Sequence, residues 1–192
     1  MNPAVIIGNG VTRKHIELDK LKGQAPLYGC NALYREFMPD FLVAIDDGMI
    51  EEIQTRLPLK NCKAIIPEEQ HRYEENTGRR NNAGMIAMKS AIEDGHDVLY
   101  CIGFDFILSG DISVDNVFKN TENYGPETHA REEDNFHRVR YLEWFASQHK
   151  KTTFIFVVPD ENISDVKTIE GINITAMRTR DFVKKQIGRA HV

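Results

Sequence analysis

Six short apolar runs, separated by stretches of helical spacing, constrain this chain more than any other feature. They are Ala4-Val-Ile-Ile-Gly8, Leu27–Cys30, Phe41-Leu-Val-Ala-Ile45, Lys63-Ala-Ile-Ile66, Asp97-Val-Leu-Tyr-Cys-Ile102 and Thr153–Val158. Several are continuously apolar rather than alternating, as strands buried on both faces of a sheet are. Between them, residues 49–56, 83–94 and 135–149 read as helices. In the second, Ala83, Ile86, Ala87 and Ala91, with Met88 or Ile92, recur at helical spacing. In the third, Phe136, Val139, Leu142 and Phe145 form a stripe. This alternation predicts an α/β fold, a Rossmann-like and mostly parallel sheet with helices on both faces. At 192 residues the expectation is one such domain over 1–192, large enough to hold a core without a disulfide or metal staple.

Composition narrows the function classes. Hydrophobic residues make up 41% and charged residues 28%, ordinary for a globular domain. A net charge of -5 argues against a chain built mainly to bind nucleic acid. No apolar run approaches the ~20 residues of a membrane span. The N-terminus enters an apolar strand at once, without a basic region or cleavage site, so no signal peptide is expected. Cys30, Cys62 and Cys101 sit in or beside apolar runs and read as buried free thiols of a reducing, cytoplasmic compartment. The oligomeric state stays open.

Two polar regions interrupt the pattern. Residues 68–82 end in a basic Arg79-Arg80 pair. Residues 108–134 form a long insertion after the fifth strand, read either as a lid or as a surface excursion with short helices of its own.

Ligands of an open parallel sheet lie beyond the carboxyl ends of its strands. The first strand leads into Gly8-Asn9-Gly10-Val11-Thr12-Arg13, where small residues let backbone N–H groups approach a phosphate; a tight strand-to-helix turn is the alternative. Arg13 stands at the third glycine of the dinucleotide fingerprint, and Asn31 stands where the acidic ribose partner would be. A nicotinamide or flavin enzyme is therefore not expected. Asn31 could bond a ribose, a base edge or a sugar, or cap the next short helix. Asp46 could cap a helix, bind a hydroxyl or hold a metal. Asn82 is an N-cap candidate, and Arg79 and Arg80 beside that helix start are either an anion site or a solvated loop. Gly103 would let a ligand lie against the backbone, and Asp105 is the carboxylate beside it. His129 and His137 could each act as a general base or be surface residues. Paired zinc spacings, a nucleophile-elbow serine and a phosphate loop ending in Gly-Lys-Ser/Thr are absent from the sequence.

Taken together, Val5-Ile-Ile-Gly-Asn-Gly10, Tyr28-Gly-Cys-Asn31, Arg80-Asn-Asn-Ala-Gly-Met85 and Leu99-Tyr-Cys-Ile-Gly-Phe-Asp-Phe106 resemble segments of bacterial sialyltransferases of the lipooligosaccharide type, in the same order. Leu142-Glu143 and the sixth strand resemble their next helix and strand, so the likeness covers about two thirds of the chain. It implies a CMP-linked nucleotide-sugar donor, a glycan or small-molecule acceptor, and no required metal cofactor. Asn9 and Asn31 would touch the donor. Arg80, Asn82, Ala83 and Gly84 would lie near its phosphate or sugar, with Gly8, Gly10, Gly103 and Asp105 completing the pocket. His129 or His137 would deprotonate the acceptor, Arg80 would stabilise the leaving phosphate, and the insertion would close as a lid. Departures are also visible. Asn82-Ala83 replaces the family's Thr-Ser, Ile107 replaces a tyrosine with Tyr124 as a substitute, and Glu133 aligns with the catalytic histidine.

Two other readings compete. The opening Gly-x-Gly and the Gly-x-Asp turn also resemble archaeal hydroxymethylpterin pyrophosphokinases, which would place Mg²⁺ on Asp46 and Asp105. A non-catalytic nucleotide-binding accessory protein is the third; Asn123-Tyr-Gly-Pro-Glu-Thr128 is similar to accessory proteins of phage genomes.

Overall fold

The computed structural model describes residues 1–125 and 132–190, with residue 132 and residues 186–190 described by backbone alone. Seven strands form one sheet, parallel at every pairing. They are β1 (Pro3–Ile7), β2 (Leu27–Cys30), β3 (Phe41–Val43), β4 (Lys63–Ile65), β5 (Val98–Ile102), β6 (Thr153–Val158) and β7 (Ile174–Arg178), in the order β4-β3-β2-β1-β5-β6-β7. The helices are α1 (Asp47–Gln54), α2 (Ala83–Glu93), α3 (Glu132–Gln148), the single turn α4 (Ile163–Val166) and α5 (Thr179–Ala190).

Side chains alternate across each strand, so one sequence feeds two cores. Ala4 and Ile6 of β1, with Leu99 and Cys101 of β5, pack under α2, α3 and Val166 of α4. Val5 and Ile7, with Tyr100 and Ile102, pack against Met49, Ile50 and Ile53 of α1 and Phe182 of α5. This double burial is why β1 and β5 read as unbroken apolar runs.

Three departures from the sequence expectation have physical reasons. First, β7 and α5 were not expected. As an edge strand, β7 buries none of its residues fully, so Ile174-Thr-Ala-Met-Arg178 carries no continuous apolar run. Second, the stripe Phe136, Val139, Leu142, Phe145 is not the inward face of α3, because Phe136 is 57% exposed. At about 100° per residue, nine residues bring Phe136 to the side opposite Phe145. The inward face is instead Asn135, Arg138, Leu142, Phe145 and Ala146. Its apolar half covers the sheet, and its polar half extends past the strand ends.

Third, the described part of the insertion is fastened to the domain. Phe118 is buried, with the guanidinium groups of Arg13 and Arg35 5.6 and 5.7 Å from its ring centre. The Val117 amide donates to the Asn9 carbonyl at 2.9 Å. Arg35 donates to Thr121 Oγ1 at 2.9 Å and to the Glu122 carbonyl at 2.8 Å while pairing with Glu52 of α1. Asn123 bridges Glu52 and the Gly48 carbonyl. Residues 108–125 are thus tied to the domain by backbone, side-chain and ring contacts.

Candidate functional site

The chain runs outward from β1 to β4, returns to β5 beside β1, and then runs outward the other way. The sheet therefore reverses direction between β1 and β5, and the crevice past their carboxyl ends is where such folds take ligands. A cleft of about 680 Å³ lies there. Every binding residue expected from the sequence lines it: Gly8, Asn9, Gly10, Asn31, Asn82, Ala83, Gly84, Gly103 and Asp105, together with Arg80.

The floor is built of groups that bond one another. The Gly8 amide donates to the Ile102 carbonyl at 2.8 Å, and the Gly10 amide to the Gly103 carbonyl at 2.9 Å. The two strand ends touch backbone to backbone. A Cβ on Gly8 would lie 2.5 Å from the Gly103 carbonyl oxygen, and one on Gly103, whose φ is +71°, would collide with the Gly8 carbonyl. Asp105 is 4% exposed and accepts from the Thr12 amide at 3.0 Å, from the Thr12 hydroxyl and from the Val11 amide. Burial raises its pKa and these bonds oppose the rise.

Two expectations are thereby corrected. The amides of Gly8 and Gly10 are not offered to a phosphate, because the carbonyls of Ile102, the last residue of β5, and of Gly103 hold them. Asp105 positions the turn Val11–His15 instead of presenting a carboxylate to a ligand or to Mg²⁺. Among the described residues no group of three metal-ligating side chains occurs.

Side-chain amides behave differently. Asn9, 7% exposed, donates through Nδ2 to the Cys30 carbonyl at 2.9 Å, and its buried Oδ1 has no partner. Asn31 opens the turn Asn31–Arg35 at φ +53°; it does not cap that turn, and its Oδ1 is buried without a partner. Asn82 caps α2 by accepting from the Met85 amide at 3.0 Å, which leaves Nδ2 buried without a partner. Buried polar atoms nearly always have partners, and these three, with Tyr124 Oη, are orphans among the residues that line the cleft. Ala83 and Gly84 line the cleft at the α2 N-terminus, where the helix dipole favours an anion.

The basic stretch at 68–82 folds as a short antiparallel hairpin, with Tyr73 bridged to Arg80. It holds Arg80 firmly. The guanidinium sits 5.1 Å from the Tyr73 ring centre, pairs with Glu69 at 3.1 Å, donates to the Ile45 carbonyl and faces Asp46 at 4.0 Å. Arg80 thus reaches the cleft with its charge already answered by Glu69. Asp46 precedes α1, yet its side chain makes no capping bond, so the capping expectation fails and the carboxylate faces the cleft.

The remaining wall was not foreseen. Asn135 and Arg138 of α3 line the cleft with Ser113, Asn116 and Lys119 of the insertion. Asn135 donates to the Ser113 carbonyl at 3.1 Å and accepts from Arg138 Nη1 at 3.0 Å. Their spacing to Leu142 is the sequence signal that would have found them, because residues 135, 138 and 142 share one helix face. His137, on the same helix, is not among the lining residues and packs edge-on to Phe136 at 5.5 Å. His129 lies outside the described residues. Tyr124 lines the cleft, whereas Ile107 is buried in the core.

The thiols offer no nucleophile. Burial pushes Cys30 up to about 12, with Arg13 opposing; it pushes Cys62 up to about 11 and raises Cys101 as well.

No family model matches this sequence, and no curated protein matches it. Solved structures do. The sialyltransferase CstII from Campylobacter jejuni, in complex with the substrate analogue cytidine-5'-monophosphate, matches at a TM-score of 0.57 and 15% identity, over 90% of this chain and 85% of that chain. CstII in complex with a trisaccharide acceptor and CMP matches at 0.51 and 15%, over 89% and 86%. A point mutant of the alpha-2,3/8-sialyltransferase CstII matches at 0.53 and 14%, over the same shares. The chain therefore has the α/β, all-parallel fold of a bacterial sialyltransferase, with its own side chains around the crevice that the fold provides.

Proposed function

We propose that this chain binds a CMP-linked sugar in the cleft at the β1/β5 switch point and transfers the sugar to an acceptor hydroxyl. The observation that carries the reading is the set of unpartnered amide atoms, Asn9 Oδ1, Asn31 Oδ1 and Asn82 Nδ2. Two acceptors and one donor suit the amino, hydroxyl and oxyanion groups of a nucleotide. CstII, which shares the fold, is described in complex with CMP. In the transfer, the acceptor oxygen forms a bond to the anomeric carbon and its proton goes to a base. The sugar–phosphate bond breaks, and its electron pair leaves with CMP. Asp46, one of the carboxylates lining the cleft, is available as that base; His129 is the other candidate from the sequence, since His137 stands off the cleft.

Thermal melting with CMP, CDP, UDP, GDP and ATP, each with and without Mg²⁺, tests the reading. A nucleotide at one hundred times its dissociation constant adds ~2.7 kcal/mol, a rise of several degrees in a domain of this size. Stabilisation by CMP without metal supports the proposal. Stabilisation by ATP only with Mg²⁺ points to the pyrophosphokinase reading, which the engagement of Asp105 by Thr12 already disfavours.

A second reading, a nucleotide-binding protein without transfer activity, draws on the position of His137 off the cleft and of Ile107 in the core. Release of free sugar from a CMP-linked donor by pure protein, abolished in Asp46→Asn or His129→Gln, would exclude it.

A further inference from the structure

We infer that Arg138 is the residue that holds the phosphate in this cleft. This inference rests on the nucleotide reading above.

The cations around the cleft differ in what already answers their charge. Arg80 pairs with Glu69, and Lys119 pairs with Asp115 at 3.2 Å. Arg79 is exposed to solvent. Arg138 comes from the polar half of the inward face of α3 and is enclosed by the cleft walls. Its one hydrogen bond among the described residues is to Asn135, a neutral amide. Among the described residues, that leaves most of a five-donor planar fork without a partner. Asp134, Glu74 and Asp46 act on it through space, and enclosure pulls its pKa down.

Among the described residues no carboxylate contacts this partly desolvated guanidinium, which is costly to maintain so, and an arriving oxyanion offsets that cost. The fork matches phosphate geometry through two parallel N–H···O bonds. The α2 N-terminus lines the same cleft and favours negative charge there as well. Asn135, tied to the Ser113 carbonyl, fixes the orientation of Arg138. Sequence reading assigned the leaving phosphate to Arg80; the geometry gives Arg80 to Glu69 and the Ile45 carbonyl, and the phosphate to Arg138.

Titration calorimetry of wild type, Arg138→Gln and Arg138→Lys with CMP, cytidine and inorganic phosphate tests this. The expected result is a loss of CMP affinity of about 10- to 100-fold in Arg138→Gln, the range for charged hydrogen bonds. Arg138→Lys should fall between. Cytidine affinity should stay within about twofold, which a collapsed site would not allow, and the glutamine variant should melt no lower than wild type. Unchanged CMP affinity in Arg138→Gln, or an equal loss of cytidine, overturns the assignment. If wild type binds neither CMP nor cytidine, the nucleotide reading fails by itself and inorganic phosphate decides. Phosphate binding that disappears in Arg138→Gln keeps the anion site, and phosphate binding independent of Arg138, or absent, removes it.

Discussion

The floor of the cleft and its walls follow opposite rules. On the floor, Gly8, Gly10, Gly103 and Asp105 bond and pack against one another, so the strand ends are fixed before any ligand arrives. On the walls, Asn9, Asn82 and Arg138 hold one group each in place and leave another open, and Asn31 leaves its Oδ1 open. The comparison teaches that a residue can line a site for two different reasons. Floor residues set its shape, wall residues set what it takes, and lining alone does not separate them. Mutations should do so, because floor changes act on stability and wall changes act on binding.

The largest effect is expected from Gly103→Ala. It combines a positive φ with a collision against the Gly8 carbonyl, and should cost about 3–4 kcal/mol. The melting temperature should then fall by roughly 10 °C. A fall of only a degree or two would show that the floor is soft and would remove the distinction.

Next comes the anchor that joins α1 to the insertion. Burial raises the Glu52 carboxyl, but bonds from Arg35, Tyr34 and Asn123 outweigh it, so its pKa is lowered in the fold. A lowered carboxyl contributes stability above the ordinary carboxylate range and loses it as pH falls through the depressed value. Glu52→Gln should cost about 2 kcal/mol at neutral pH, below the range for fully buried pairs because Arg35 is partly exposed. Melting curves from pH 7 to pH 3 should converge for the two proteins at the acid end. Parallel curves would show that the pair contributes nothing.

The smallest effect on stability is expected on the wall. Asn31→Gly keeps a backbone suited to φ +53° and removes only the side chain. Stability should change by less than about 1 kcal/mol, while CMP affinity falls about tenfold. The reverse outcome, lost stability with unchanged CMP binding, would move Asn31 from wall to floor.

Legibility in the sequence followed the same division. β6 was readable because Phe154–Val158 is apolar throughout and Thr153 before it is β-branched. β7 was not, because an edge strand needs no such run. Glycines at strand ends announced the crevice but misreported its chemistry. A glycine that admits a phosphate and one that admits a neighbouring carbonyl look alike in sequence, and only the Gly8–Gly103 contact tells them apart. Asn82 was legible as a cap because it stands directly before a helical run. Arg138 was missed because its role depends on where the sheet ends beneath α3, a length that no local pattern encodes. Phe136 added a false stripe at a strict spacing of three.

The shared face of α3 also makes Arg138 a matter of phase. Leu142, Phe145 and Ala146 fix the rotation of the helix against the sheet, and Arg138 inherits its direction from them. One residue inserted between 138 and 142 would turn the guanidinium by about 100° and present a different side chain to the cleft, with the apolar half undisturbed. Seven residues inserted there would nearly restore its heading and carry it about 10 Å further out. The helix therefore works as a register bar, and the chemistry it offers can be changed by counting residues, without altering the core.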